Sequence, residues 1–591
     1  MWSVCLWISL CCLVVAAAAP YVINASSLVK KRPVRLINSL MAGVLLAAIF
    51  LFFPVHKSQA GVWRACLLSL FNAMQVFALG CDFSVVQEGM VDCPAWLAAG
   101  YQFYFAVLYV IAPFLTCGFV RSLFKNVSAY LRYLFTFFKD VYIFSELNEK
   151  SLALAGDIRE QNPRAAIVFT DVFEDNEEST YELTQDAKRL GAICFKKDVL
   201  VVDFAKHSAK KSISFFSIGG DETENLNHAL KLIEHYKTCS NMHLYVFSTK
   251  LESELLLTAV DKGQIKVRRI NEVQSLVNRI LYEEGHILFD SAKPQEDDTK
   301  QITAVVVGMG NHGTEMVKAL TWYGQMDGYR LEIHAFDKDP LAEEKFTALA
   351  PELMSPDYNG VQVPGEAQYR IHIHSGVDVE TVSFANAIAQ ITDTTYVMVA
   401  LGNDDVNINT AVHLRMYFER MKIHPVIQAI IYNSQQKQAL EGITNYRGQA
   451  YDISFIGDID SSYTERVIID SELEEEALRR HLKWGQEAEF WTYEYNYRSS
   501  MASAIHMRAR IHCQIPGADK NEEDLTIQER DGIEALEHRR WNAYMRAEGY
   551  VYSGSKEKSS RNDLAKMHHD LVDYASLTEE EKRKDSRVGT R

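Results

Sequence analysis

The sequence predicts an α/β protein carried on a helical membrane segment: three apolar spans, two doubly wound parallel sheets, and a small, mainly helical module at the carboxyl end. Nearly uncharged apolar runs fill the first 120 residues; from Asp140 onward short β-branched runs alternate with helical stretches, and that alternation starts again at Ile302. The 591 residues amount to about four domains of chain, and 48% hydrophobic with 23% charged content excludes a disordered or collagen-like protein. With 77 acidic against 61 basic side chains the net charge is -16, so most of the surface repels a polyanion and nucleic acid is not an expected partner.

The membrane region is expected over residues 1–138. Trp2 to Ile23 and Leu36 to Val55 carry no charged side chain, and each is long enough to cross about 30 Å of hydrocarbon at 1.5 Å per residue. A third span runs from 95 to 120 and includes Pro113, which neighbouring helices tolerate in a bilayer. The first run also has the small residues Ala16 to Ala19 of a signal-cleavage site, but no Lys or Arg precedes it, which favours a retained span. Lys30, Lys31, Arg32 and Arg35 follow the first span and Arg121, Lys125, Arg132 and Lys139 follow the third, while the middle loop has only Lys57 and Arg64. This bias places the amino terminus outside and the large carboxyl-terminal part in the cytoplasm.

Between the second and third spans, residues 65–81 are uncharged, with Ser69, Asn72 and Gln75 forming a polar stripe on one helical face. A re-entrant or interfacial helix is expected there; pore lining by that stripe and a helix lying on the membrane surface both remain open. Ala78-Leu79-Gly80-Cys81-Asp82 has no run of carbonyl donors suited to potassium, so potassium selectivity is not expected. Seven of the ten cysteines fall in the first 120 residues and no Cys-x-x-Cys pair occurs, so no metal ligation is expected from them. Cys81 and Cys93 share the outer side, which leaves a disulfide or two buried thiols.

The first doubly wound half is expected over residues 139–295, with strands at Val141–Phe144, 165–169, 192–195, 213–218 and 243–247; the second covers 300–485. In the second, the strand Ala304 to Val307 runs into Gly308-Met309-Gly310-Asn311-His312-Gly313 and then a helical stretch, Thr314 to Leu320. This is a dinucleotide-binding turn in its required context: Gly308 for the tight turn, Gly310 for approach of a pyrophosphate, Gly313 for helix-on-strand packing, and the helix N-terminus for the phosphate. Asp337 ends the next strand, 24 residues after Gly313, where it can accept from a ribose hydroxyl. NAD(H) or another adenine nucleotide is therefore the expected cofactor, with Asn311 and His312 in the same turn and His312 read as a turn residue. The first half has Ser145, Leu147 and Lys150 in place of the glycines and is expected to bind no pyrophosphate. Gly219-Gly220-Asp221-Glu222 after one strand matches Gly402-Asn403-Asp404-Asp405 after its counterpart, Tyr396 to Leu401, as helix caps or as ligand contacts. No general acid or base set accompanies the turn, so the chain is expected not to be an enzyme. The helix Ser471 to Trp484 places its acids first and bases last, which reads as structure.

Val305 to Gly313, Asp337 and Gly402-Asn403-Asp404 give the chain, over roughly Asp140 to Asp460, a resemblance to the Rossmann-like regulator-of-potassium-conductance (RCK, TrkA-N) domains. That resemblance implies a prokaryotic inner-membrane protein, a homo-oligomer (dimer or tetramer), and nucleotide binding that moves a gate. Residues 486–591 contain Glu537-His538-Arg539-Arg540-Trp541, Gly549-Tyr550, Asp570-Leu571-Val572-Asp573-Tyr574 and Leu577-Thr578 before Glu579. Over Ile527 to Asp585 this resembles the ryanodine-receptor repeat (RyR) domain, with His569 and Asp573 where the family shows prolines. By resemblance it is a ligand-sensing module whose candidate residues are Glu537, Arg540, Trp541, Tyr544 and Tyr574; Trp541 and Tyr574 also read as core, which leaves Arg540 and Tyr544 as the stronger candidates. The expected function is a nucleotide-gated channel or pore-type effector in the bilayer. A membrane-anchored NAD-binding scaffold or an oxidoreductase is the alternative.

Overall fold

The computed structural model describes residues 1–25, 36–59, 61–81, 83–91, 93–136, 139–172, 178–202, 204, 212–354 and 369–590. The chain divides into two compact units, Met1–Phe135 and Thr136–Arg591.

In the first unit, helices Trp2–Ala25, Leu36–Gln59 and Ala95–Leu134 each contain a window long and apolar enough to cross a bilayer: Trp2–Ala19, Ser39–Ser58 and Ala95–Thr116. Lys30, Lys31, Arg32 and Arg35 lie outside the described residues. The third helix continues past its apolar window to Leu134, because residues 121–134 contain neither Gly nor Pro to stop it. Trp7, Val14, Phe103 and Phe114 stand exposed on the unit's outside, as hydrocarbon contact requires. Inside, Gly43 lets the first two helices touch: a Cβ there would fall 2.2 Å from that of Ala16. Ser9 donates to the Ala47 carbonyl at 2.6 Å and lies 2.9 Å from the Tyr104 hydroxyl.

Helix Val62–Phe77 packs on the second helix and is too short to cross. Of its polar stripe, Ser69 is fully buried and donates to the Ala65 carbonyl at 2.7 Å, Asn72 lies 2.9 Å from His56 Nε2, and Gln75 is half-buried. Cys81 and Cys93 are free thiols, not a disulfide.

The second unit holds two sheets of the same topology. Strands β1 (Val141–Phe144), β2 (Ala166–Phe169), β3 (Ile193–Cys194), β4 (Ile213–Ser217), β5 (Met242–Phe247) and β6 (Lys266–Ile270) run parallel in the order β3-β2-β1-β4-β5-β6. After β7 (Lys293–Pro294), strands β8 (Lys300–Val307), β9 (Tyr329–Asp337), β10 (Tyr369–Ser375), β11 (Tyr396–Val399), β12 (Val426–Ile430) and β13 (Ile453–Ile456) repeat it as β10-β9-β8-β11-β12-β13. β7 is antiparallel on β8. Strand order reverses beside β1 and beside β8, and that is where a doubly wound sheet opens a ligand crevice.

Of the carboxyl-terminal helices Glu472–His481, Glu494–His512, Ile527–Ala547 and Glu579–Gly589, which the short strands β14 (Val551–Tyr552) and β15 (Met567–His568) accompany, Glu494–His512 and Ile527–Ala547 pack on helix Asn311–Tyr323 of the second half, and the other two pack on these. Ile505, Leu536, Tyr544 and Met545 share one apolar core with Leu320 and Tyr323 of helix Asn311–Tyr323. Buried ion pairs tie the first sheet to these helices: Arg268 of β6 meets Glu474, which also accepts from Tyr497, and Arg269 meets Glu494. Removing one partner strands a charge in a dry interior. Glu474→Ala is therefore expected to destabilise the chain by about 3–5 kcal/mol, read as a lowered unfolding temperature of the detergent-solubilised protein.

Candidate functional site

The turn after β8 holds its three glycines in three different settings. Gly308 has φ +95°, and a Cβ on it would fall 2.6 Å from the Ala400 carbonyl oxygen. At Gly313 a Cβ would fall 1.7 Å from the Gly308 oxygen, so only glycine lets the helix seat on the loop. Gly310 faces open space. It is the N-cap of helix Asn311–Tyr323, and no side chain caps that terminus. The positive end of the helix therefore opens into the crevice. Asp337 accepts from Met309 N–H at 2.6 Å through one oxygen and from Asp339 N–H at 2.8 Å through the other, so it braces the loop while each oxygen keeps a lone pair. Asn311 is exposed. His312 lies 3.4 Å from the Tyr432 hydroxyl, and burial pushes its pKa down, which leaves it neutral near pH 7.

The first half fills the equivalent crevice with its own groups. Asn148 caps helix Glu149–Gln161 in a reciprocal pair with Ser151, the Ser145 hydroxyl accepts from Ile218 N–H at 3.0 Å, and the Glu146 carboxylate accepts from Gly220 N–H at 3.2 Å. The turns after β4 and β11 superpose in function, one residue away from the alignment read in the sequence. Asn225 accepts from Gly219 N–H and donates to the Phe247 carbonyl, as Asn407 accepts from Leu401 N–H and donates to the Ile430 carbonyl. Asp221 therefore corresponds to Asn403, and both cap helices; Glu222 corresponds to Asp404, and both hold the loop after the next strand. Gly402 supplies the positive φ (+79°) of that turn. Asn403 and Asp404 thus have backbone partners of their own.

Around Gly310 lies a cavity of about 790 Å³ walled by the first half at Thr249 and Asn271, by the glycine turn, and by the carboxyl-terminal helices at Arg498 and Glu548. Six carboxylates (Glu254, Glu315, Asp337, Asp339, Glu548, Asp563) face four cations (Lys318, Lys345, Arg498, Lys566). The cations are largely engaged: Arg498 is 3.2 Å from Glu548 and 3.3 Å from Glu254, and Lys318 is 3.9 Å from Glu548. Burial raises the Glu254 carboxyl pKa; it opposes ionisation of Glu548 as well, but Arg498 and Lys318 outweigh it there and the net shift is down. With a net negative wall, phosphate charge has to be met by the helix terminus. A diesterified pyrophosphate, with about two negative charges, suits this better than a triphosphate with about four.

A second cavity, of about 640 Å³, lies within the carboxyl-terminal module. It brings together Glu537, Arg540 and Trp541. It does not include Tyr544, which is buried edge-on to Trp322 at 6.2 Å, or Tyr574, whose hydroxyl donates to Glu534 at 2.6 Å under Lys582. Glu537 accepts from Arg540 at 2.7 Å and from Arg510. Burial would raise its carboxyl pKa, yet the two guanidinium groups bring it down to about 2. Among the described residues, Arg540 Nη1 and the Ser503 hydroxyl are buried without a hydrogen-bond partner, and neither ring nitrogen of His569 makes a hydrogen bond, Asp570 being 3.3 Å away. Arg480, Lys558, Arg561 and Lys584 join Arg540, five cations against the carboxylates of Glu537, Asp570, Glu581 and Asp585. Arg480 and Ser503 were not singled out in the sequence: Arg480 sits among charges that read as helix-dipole compensation, and only its burial to 1% exposure marks it.

No protein-family model and no curated protein matches the chain.

Gly313→Ala is expected to unseat the loop and lower the unfolding temperature, whereas Gly310→Ala leaves that temperature unchanged and weakens only ligand binding. Because the folded-state pKa of Glu537 is depressed to about 2 from its ordinary 4.5, its stabilising contribution is full above about pH 4.5 and lost as pH falls toward 2. The stability gap between wild type and Glu537→Gln is accordingly expected to narrow across that interval in pH-resolved unfolding.

Proposed function

We propose that this chain is a membrane-anchored nucleotide sensor, in which NAD(H) or a related adenine nucleotide binds at Gly308–Gly313 and alters the state of the membrane unit, as a ligand-gated channel or pore-type effector. One observation carries the reading: an uncapped helix N-terminus behind a three-glycine turn opens into a cavity walled by both halves and by the carboxyl-terminal module. An occupant there touches all three parts at once, and preference for one arrangement of them is the only way a ligand does work on a distant element. The three apolar helices supply the element to be acted on. The resemblance to RCK and RyR domains supports the same reading, with ligand sensing in the cytoplasm of a prokaryote and assembly as a dimer or tetramer.

The test uses the full chain in liposomes. Entrapped-ion release is expected to change on adding NAD, NADH, ATP or AMP to the carboxyl-terminal side, and Gly310→Trp, which fills the open space at that turn, is expected to abolish the response. Release indifferent to every one of these compounds would overturn the proposal, and steady turnover of NADH with an added acceptor would replace it with an oxidoreductase.

A further inference from the structure

Strands β9 and β10 run parallel in a register that pairs His334 with His372 and Phe336 with His374. Alternate residues of a strand share a face, so Glu332, His334, His372 and His374 stand together on one side of the sheet's edge. The rings are ordered as a ladder: His334 stacks on His372 at 4.8 Å and on His374 at 5.5 Å, and His374 stacks on Phe336 at 4.3 Å. This stacking holds the imidazoles beside one carboxylate oxygen. Glu332 Oε1 lies 2.9 Å from His372 Nε2 and 3.4 Å from His334 Nε2, and one donor atom from each of the three residues falls within 4.8 Å of the others.

Two ligand atoms about 2.0–2.1 Å from a tetrahedral ion are roughly 3.3–3.4 Å apart. The two Glu332 contacts bracket that separation, and the donor atoms of the two histidines lie within 4.8 Å of each other. We propose that Glu332, His334 and His372 form a binding site for a borderline divalent cation of the zinc class, with its remaining coordination positions toward solvent. The donor set, two imidazoles and a carboxylate, selects against calcium and magnesium, which take oxygen ligands almost exclusively. His334 is the anchor, with its side chain 14% exposed, while His372 at 45% leaves the approach open. No cysteine or short-spaced motif announces the site, because its donors come from two strands that lie nearly forty residues apart in sequence.

A second cluster, His568, His569 and Asp570, also gathers three donor atoms. It lies in the cavity that carries Arg540, Arg561 and Lys584, whose charge opposes a cation. The ion is therefore assigned to the β9–β10 edge. Bound there it would clamp the edge strand β10 to β9, the strand that ends in Asp337.

The test uses the untagged full chain in detergent after chelator treatment, titrated with Zn²⁺ by calorimetry and with Co²⁺ by visible absorption. One Co²⁺ per chain with the d–d bands of a four- or five-coordinate ion is expected. His334→Ala and His372→Ala are each expected to weaken binding by about 100-fold or more. Glu332→Gln, nearly the same shape and so the safest for folding, is expected to weaken it at least tenfold. His424→Ala, which removes a surface imidazole between Glu419 and Asp452, is expected to change nothing. Absence of Co²⁺ binding, binding unaffected by all three site substitutions, or loss of binding in His569→Ala instead would overturn the assignment.

Discussion

The second unit is organised by the seating of one helix, Asn311–Tyr323, on the turn that precedes it. Gly313 permits that contact and no larger residue would, since a Cβ at that position would overlap the Gly308 carbonyl. From there Met316, Val317, Leu320, Trp322 and Tyr323 are buried, against helix Glu272–Glu283 on one side and helices Glu494–His512 and Ile527–Ala547 on the other. A helix buried nearly all round has no soft face. Whatever occupies its open N-terminus bears on a body that is wedged between the first half and the carboxyl-terminal module, and packed interiors move between discrete arrangements instead of yielding gradually.

Much of this was legible in the sequence, and what was legible shares a cause. Glycines at 308, 310 and 313 are required by backbone approach, and a β-strand, turn, helix sequence around them leaves a local trace; alternation of β-branched and helical runs does the same for the strands. Interactions between distant residues leave none. Strand β6, Lys266–Ile270, reads as a charged stretch because Arg268 and Arg269 are paired with Glu474 and Glu494, more than 200 residues away. The register of the turns after β4 and β11 was misplaced by one because Gly219 and Gly220 are chemically identical, and only the paired bonds of Asn225 and Asn407 distinguish them. Spacing at i, i+4 and i+7 sets Glu537, Trp541 and Tyr544 on one helical face, but that face is divided: Trp541 lines a cavity and Tyr544 enters the shared core beside Trp322. A helical wheel does not show where one neighbour ends and the next begins.

The two cavities differ in the sign of their walls, and that difference constrains what each can hold. The one at the glycine turn has more carboxylates than cations and depends on backbone N–H groups and the helix dipole for any affinity toward phosphate. The one in the carboxyl-terminal module has the opposite excess and a buried guanidinium nitrogen of Arg540 with no partner. Leaving such a group unpaired costs about 1–3 kcal/mol, a cost relieved by an anionic group reaching it.

In hydrocarbon an unpaired polar group is expensive, so polar side chains on a short helix must bond to protein or to water. Ser69 and Asn72 bond within their own chain, to the Ala65 carbonyl and to His56, which leaves half-buried Gln75 as the member of the stripe with no side-chain hydrogen bond among the described residues. A water path along that stripe inside one copy would have to break the Asn72–His56 contact. On the proposed function, then, either helix Val62–Phe77 separates from the second helix when the gate opens, or the path lies between copies and is lined by other faces. In the first case the Asn72–His56 pair belongs to the closed state and its loss favours opening; in the second it is indifferent to gating, so the pair itself separates the two geometries.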